Sequence, residues 1–241
     1  YQKENVQTVQ GLLEDALSKI ANSPIRVGCA GRTDAGVHAT NQIVEFSTNS
    51  DRDMEAWVYG TNSNLPESIS VNCGALVPNS FSARHSAFSR RYLYVIYNSP
   101  IRSALLPEYL YREHRQLDHE KMHEAAQFLV GEKDFTSFRA SKCQSSTAMR
   151  NVLSVRVSWE CDLVLVDITA NAFLLHMVRN IVGVLLDVGA GEKPISWSRF
   201  VLYYSFRTLQ FVFISHYLYE LPYQLGVFDT RARFYTPANV Q

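Results

Sequence analysis

Apolar residues recur at helical spacing in several parts of this 241-residue chain. Val9, Leu12, Leu13, Ala16, Leu17 and Ile20 repeat every three or four positions until Asn22-Ser23-Pro24 stops them, which predicts an amphipathic helix. Asp118 to Val130 is predicted as a second helix, with Asp118 as its N-cap and Gly131 as its stop. A shorter helix is predicted from Asp53 to Tyr59, and a long apolar one from about Ala172 to Val188. Strands are predicted at Ile25 to Ala30, Gln42 to Thr48, Ser70 to Val77, Arg90 to Asn98, Val152 to Trp159 and Leu163 to Ala170. Helix-strand-strand units on both sides of a middle loop predict an α+β fold with antiparallel or mixed sheets. A boundary falls near residue 100, where Ser99-Pro100 closes a strand.

Composition narrows the class. About 150 residues per domain gives one or two domains, and a chain this long buries enough surface to need no disulfide staples. With 11 Gly and 8 Pro it is neither collagen-like nor of low complexity. The formal net charge is zero, which excludes nucleic-acid binding by bulk charge and leaves room for a local patch. The basic residues are 17 Arg against 6 Lys, and Arg suits bidentate phosphate contacts and stacking on rings. Cys29, Cys73, Cys143 and Cys161 form no C-x-x-C pair, so they read as buried thiols in a reducing, cytoplasmic compartment. No signal peptide opens the sequence. It begins at Tyr1 rather than Met, and a natural start further upstream is expected. The last 42 residues hold 12 of the chain's 29 aromatics, and their only acids are Glu220 and Asp229. They read as a sticky interaction tail or as a drifted end.

Four constellations could carry chemistry. Gly31-Arg32-Thr33-Asp34-Ala35-Gly36-Val37-His38 is either a polar turn or a tight loop that presents Asp34, flanked by Arg32, as a nucleophile. Ser68 to Pro107 lacks acids but carries Arg84, Arg90, Arg91 and Arg102. Strand alternation there puts Arg90, Tyr92, Tyr94 and Ile96 on one face, and Arg91, Leu93, Val95 and Tyr97 on the other. That pattern suits an RNA backbone and an unstacked base, or else an aromatic strand with snorkelling Arg stems. Arg179 shares a face of the apolar helix with Leu175, His176, Val182 and Leu186. A guanidinium there needs an anion, and it splits the apolar run into pieces too short to cross a membrane. His119-Glu120-Lys121-Met122-His123 spells the zinc-peptidase pattern, but it sits in the first turn after Asp118 with no third ligand, so zinc is rejected.

These stretches resemble the tRNA pseudouridine synthase A family, which acts on the anticodon arm. Cys29 to Ala39 resembles its catalytic loop, and Phe81-Ser82-Ala83-Arg84 with Arg90-Arg91-Tyr92-Leu93-Tyr94 its tyrosine motif. Asp134-Phe135-Thr136-Ser137-Phe138-Arg139 also fits, as does Asn171-Ala172-Phe173 running on to His176-Met177-Val178-Arg179. The likeness spans roughly residues 1 to 197. It implies a pseudouridine synthase fold of two α/β halves, with mostly antiparallel mixed sheets joined around a central cleft. Residues 1–100 would carry the Asp loop and the tyrosine strand, and residues 101–241 the Arg179 helix and the aromatic-rich end. Asp34 would be the catalytic aspartate. Tyr92 would stack on the uracil and assist proton removal, and Arg179 would pair with the aspartate. Arg32, His38, Arg84, Arg90, Arg91 and Arg139 would bind RNA. The implied substrates are uridines at tRNA positions 38 to 40, handled by a homodimer with no cofactor, metal or membrane. Covalent attack and proton abstraction by Asp34 both remain open. The family's opening strand lies before this chain's first residue, and after about Trp197 its pattern survives only as Arg207-Thr208-Leu209 and a faint echo at Tyr217-Leu218-Tyr219. The expectation is a frameshifted or decayed end, with folding and dimerisation affected.

Overall fold

A computed structural model describes residues 7–34, 36–104 and 110–204, together with the backbone of 226–232. The chain divides into two compact units of discontinuous segments. The first comprises Tyr1–Gly31, Ile43–Ser86 and Ala232–Gln241, and the second Arg32–Gln42 and Ala87–Arg231. The boundary expected near residue 100 falls inside the second unit, which takes in Asp34, Tyr92 and Arg179 together.

In the first unit, helix α1 (Val9–Ala21) is capped by Thr8, whose hydroxyl accepts from Gly11 N at 3.0 Å. Its apolar stripe, Leu13, Ala16, Leu17 and Ala21, is buried with Ile25 and Val27 against Val44, Phe46, Trp57, Leu65 and Val71. Strand β1 is shorter than expected. Gly28–Cys29 pairs antiparallel with β3 (Val44–Glu45), and helix α2 covers Met54–Asn62 behind an Asp53 cap. The strand expected at Ser70 to Val77 does not form. Instead the Asn62 side chain satisfies Val71, accepting from its N at 2.7 Å and donating to its O at 2.8 Å. Past that clamp Leu76 is almost fully exposed, so no sheet edge is needed to satisfy this backbone.

The second unit is built on a seven-stranded sheet in the order β2-β9-β4-β8-β7-β6, with β5 paired to the end of β4. Its strands are β2 (His38–Asn41), β4 (Ala87–Asn98), β5 (Tyr111–Glu113), β6 (Gly131–Asp134), β7 (Met149–Glu160), β8 (Leu163–Ala170) and β9 (Gly226–Ala232). Pairings β4–β8, β8–β7 and β7–β6 are antiparallel, while β2–β9 and β4–β5 are parallel, so the sheet is mixed as expected. On β4 the expected alternation holds: Tyr94 and Ile96 are buried and Arg91 is exposed. The buried face continues across β8 through Val164, Val166, Ile168 and Ala170. Helix α3 (His119–Gln127) and helix α4 (Met177–Gly189) share this core, Met122 and Ala125 from one and Ile181 and Leu185 from the other. Each large aliphatic side chain sealed there contributes about 2 kcal/mol.

Several features escaped the sequence reading, the short strands β2, β5 and β6 among them. Residues 172 to 176 are not helical, because Asn171 Oδ1 accepts from Asn151 N and Ala172 N, and His176 takes a left-handed conformation at φ 60°. Helix α5 (Trp197–Tyr203) and the 3₁₀ turn Thr136–Phe138 were also unforeseen. The expectations for the aromatic-rich end concern residues outside those described, apart from the start of that segment in α5 and the backbone of β9.

Candidate active site

Asp34 stands in the loop that leads into β2. Val37 N donates to Asp34 O at 3.1 Å to close a tight turn, and Gly36 lies within it at φ 81°, a conformation that glycine adopts without steric penalty. The Asp34 side chain is about half exposed, at 54%. His176 Nε2 lies 3.7 Å from Asp34 Oδ2, brought there from the start of α4. Tyr92 comes from β4, its ring set edge-on against Phe173 with centroids 4.9 Å apart. Burial pushes the Tyr92 phenol up to about 12. The negative charge of Asp34 adds to that shift and Arg90 opposes it, so the carboxylate is close enough to act on the phenol.

Arg179 occupies the first turn of α4. Its positive charge bears on two neighbours: the hydroxyl of Tyr94 and the imidazole of His176. Burial and Arg179 lower the His176 pKa, while Asp34 alone would raise it. The imidazole is therefore neutral at neutral pH, and its contact with Asp34 is a meeting of a carboxylate with an uncharged ring. Asp34, Tyr92, His176 and Arg179 form one neighbourhood assembled from a loop, a strand and a helix N-terminus.

The residues expected to bind RNA are less uniform. Arg32 and His38 are exposed beside Asp34 in sequence. Arg84 is exposed but belongs to the first unit. Arg90 is half-buried, with Nη1 donating to Asn171 O at 2.7 Å. Arg91 forks onto Asp167 of β8, with Nη2 to Oδ2 at 2.6 Å and Nε to Oδ1 at 2.9 Å. The acid-free stretch thus has an acid supplied from another strand, and its linear charge overstates the positive field at Arg91. Arg139 also serves the protein itself, since Nη2 donates to Cys143 O at 2.8 Å and Ser145 O at 2.7 Å. Buried Arg150 holds the same loop through Thr147 O, Met149 O and Ser145 Oγ.

Further readings need correction or closure. All four cysteines are free, but none is buried: Cys73 and Cys161 are exposed, and Cys29 and Cys143 are half-buried. In the zinc-peptidase look-alike, His119 stacks on Trp159 while His123 Nδ1 accepts from Val157 N at 3.2 Å, so both rings are used in packing α3 onto β7. Among the described residues no group of three His, Cys, Asp or Glu side chains could hold a metal ion. Among them, too, no helix is long and apolar enough to cross a membrane. His176 is the site neighbour that sequence reasoning missed, although its place three residues before Arg179 on one helical face was the available signal.

The second unit thus presents an aspartate in the same neighbourhood as a tyrosine set edge-on against Phe173, a histidine and an arginine. The family model for tRNA pseudouridine synthase matches residues 1–85 and 125–214. The tRNA pseudouridine synthase A of Glaesserella parasuis serovar 5 is 56% identical over 207 residues, 86% of this chain and 79% of that protein. The protein of the same name from Actinobacillus pleuropneumoniae serotype 7 is 53% identical over the same shares, and that from Legionella pneumophila strain Lens 54% identical over 82% of this chain and 75% of its own. A chain in a solved Cbf5-Nop10-Gar1 complex is matched over 71% of this chain and 39% of its own, with a TM-score of 0.35 and 13% identity, and carries no argument. The chain belongs to the tRNA pseudouridine synthase family.

Proposed function

We propose that this protein isomerises uridine to pseudouridine at positions 38 to 40 in the anticodon arm of tRNA, working in the cytoplasm as a homodimer, with Asp34 as the catalytic carboxylate. The observation that carries the reading is the meeting of Asp34, Tyr92, His176 and the charge of Arg179 in one place.

The reaction breaks the N1–C1′ bond, turns the uracil, and joins C5 to C1′. The bonding pair of N1–C1′ leaves with the uracil. Asp34 then either forms an ester at C1′ or removes a proton from the ribose C2′. C5 then bonds to C1′ as the ester's C1′–O bond breaks and frees Asp34, or as Asp34 returns the proton to C2′; the C5 proton is lost and N1 gains one, so atoms and electrons balance without a donor from outside. A stacked uridine hides these atoms, and extruding it costs a few kcal/mol. Stacking on Tyr92 and phosphate contacts from the exposed Arg32 and His38 offset that cost. Because the Tyr92 phenol titrates near 12, it begins protonated, and it passes the C5 proton along by accepting it while giving its own to water, from which N1 is protonated. Arg179 keeps positive charge beside the carboxylate.

Tritium release from tRNA labelled at uridine C5 tests the reading. Wild-type protein is expected to release tritium, and Asp34→Asn to bind tRNA with unchanged affinity yet release none. Wild-type protein that binds tRNA and releases nothing refutes the isomerase and leaves an RNA-binding remnant. Light scattering on the purified protein checks the homodimer.

A further inference from the structure

We propose that His176 is a positioning residue for Asp34, its Nε2 holding the carboxylate through Oδ2 from a backbone locked in a left-handed conformation. The inference rests on the isomerase reading and adds to it a residue to which no role has been given.

Three observations support it independently. The first is distance: Nε2 and Oδ2 are 3.7 Å apart, so an approach of about 0.7 Å makes a hydrogen bond. Catalytic hydrogen bonds are commonly long without substrate and tighten when it binds.

The second is the backbone. His176 sits at φ 60°, ψ 11° at the N-cap position of α4, yet its side chain makes no capping hydrogen bond. A non-glycine residue in this region costs on the order of 1–3 kcal/mol, with Asn, Asp and His the side-chain-bearing residues that enter it most readily. A cap residue ordinarily supplies a side-chain oxygen to the helix, which imidazole here does not do. The backbone therefore tolerates a histidine but makes no use of its ring, whereas Asp34 lies within reach of it.

The third is how the strained conformation is held. Leu175 N donates to Cys143 Sγ at 3.4 Å, and Leu175 O accepts from Ala140 N at 3.1 Å. Met177 N donates to Leu174 O, and His176 O accepts from Asn180 N, both at 3.0 Å. The 140–145 loop that grips Leu175 is itself fastened by Arg139 through the carbonyls of Cys143 and Ser145. The imidazole is thus aimed by a chain of contacts running from Arg139 to Leu175 to His176, and lands on the carboxylate.

The charges acting on the ring are Arg179 from its own helix and Asp34 from the loop before β2. With burial and Arg179 disfavouring imidazolium, the ring is neutral at neutral pH and donates one N–H. On acidification it becomes a cation that draws the carboxylate into an ion pair and away from the ribose. An acid limb in kcat from His176 is the consequence, lying below the ordinary histidine range.

The test compares wild type, His176→Asn and His176→Gln by tritium release from C5-labelled tRNA, across pH, with melting temperature as a control. Asn accepts the left-handed backbone but is too short to reach Oδ2, and it should lower kcat tenfold to a hundredfold with KM for tRNA unchanged. Gln, whose amide nitrogen mimics Nε2, should recover most of kcat and lose the imidazole's acid limb. Unchanged kcat in His176→Asn overturns the positioning role while the isomerase stands. Equal losses in both variants, with the wild-type pH profile kept, also overturn it and make His176 merely structural. An inactive wild type removes the isomerase reading, and the role of His176 falls with it.

Discussion

Gly183 and Gly189 lie on one helix, α4, and the same substitution should move stability in opposite directions at the two. Alanine is favoured over glycine inside a helix by about 1 kcal/mol, because glycine loses more backbone freedom on folding. At Gly183 an added Cβ meets no described atom within 4 Å, so the propensity gain is kept whole. At Gly189 the Cβ would stand 2.6 Å from Met122 Sδ, 2.7 Å from Met122 Cγ and 3.2 Å from Leu117 Cδ2. Met122 is fully buried, and Gly189 O accepts from Asp118 N at 2.9 Å, so α3 is held against α4 at this point. A clash with Cγ cannot be relieved by swinging the end of the methionine alone. Overpacking of this kind costs about 1–3 kcal/mol, which outweighs the propensity gain. Gly183→Ala should therefore raise stability by about 1 kcal/mol, and Gly189→Ala should lower it by roughly the same amount. In a chain of this size each change shifts the melting temperature by about 2–4 °C. Urea unfolding followed by circular dichroism measures both, and equal shifts of the same sign would refute the packing argument. A cycle with Met122→Ala adds a second check: its coupling to Gly189→Ala should favour the double variant by on the order of 1 kcal/mol.

Replacing Tyr92 with Phe keeps the ring against Phe173 and should leave tRNA affinity unchanged while slowing turnover on the order of a hundredfold; full activity removes the proton-transfer role. Because the phenol titrates near 12, the rate should show no limb from Tyr92 between about pH 6 and 9. Glu113, 1% exposed, accepts from Arg115 N, Nε and Nη2 at 3.0, 3.0 and 2.7 Å. Although burial by itself would raise its pKa, these bonds and the Arg115 charge hold it below the usual glutamate value of 4.5. Its stabilisation is present above that value and lost as pH falls through the lower folded one. Glu113→Gln should cost about 2 kcal/mol at neutral pH and flatten the loss below pH 4.5; an acid limb as steep as wild type would show that other carboxylates govern it.

Much of the second unit was legible before any coordinates. Strand β8 runs from Leu163 to Ala170 as the alternation predicts, β4 starts three residues early and ends at Asn98 as expected, and β7 gains three residues at its start and one at its end. Helix α3 begins behind its Asp118 cap, since capping and periodicity are local properties that a few adjacent residues decide. The order Asp34, Tyr92, Arg179 along the chain likewise pointed to the chemistry. What the sequence by itself determined, then, was the main strands and helices of the second unit and the choice of candidate side chains.

Tertiary structure decided which partners those side chains have. Ser70 to Val77 has strand-like composition, but Asn62 satisfies its backbone with a side chain, and no neighbouring strand is recruited. Arg91 looked free in a stretch without acids until β8 set Asp167 beside it, 76 residues away along the chain. Helix α4 begins five residues later than its apolar run suggests, because His176 is held left-handed by contacts from the 140–145 loop. The same contacts set its imidazole beside Asp34. Propensity is summed over neighbours in sequence, whereas a hydrogen bond or a charge acts over a few ångströms of space, and only the folded chain makes those two kinds of neighbour coincide.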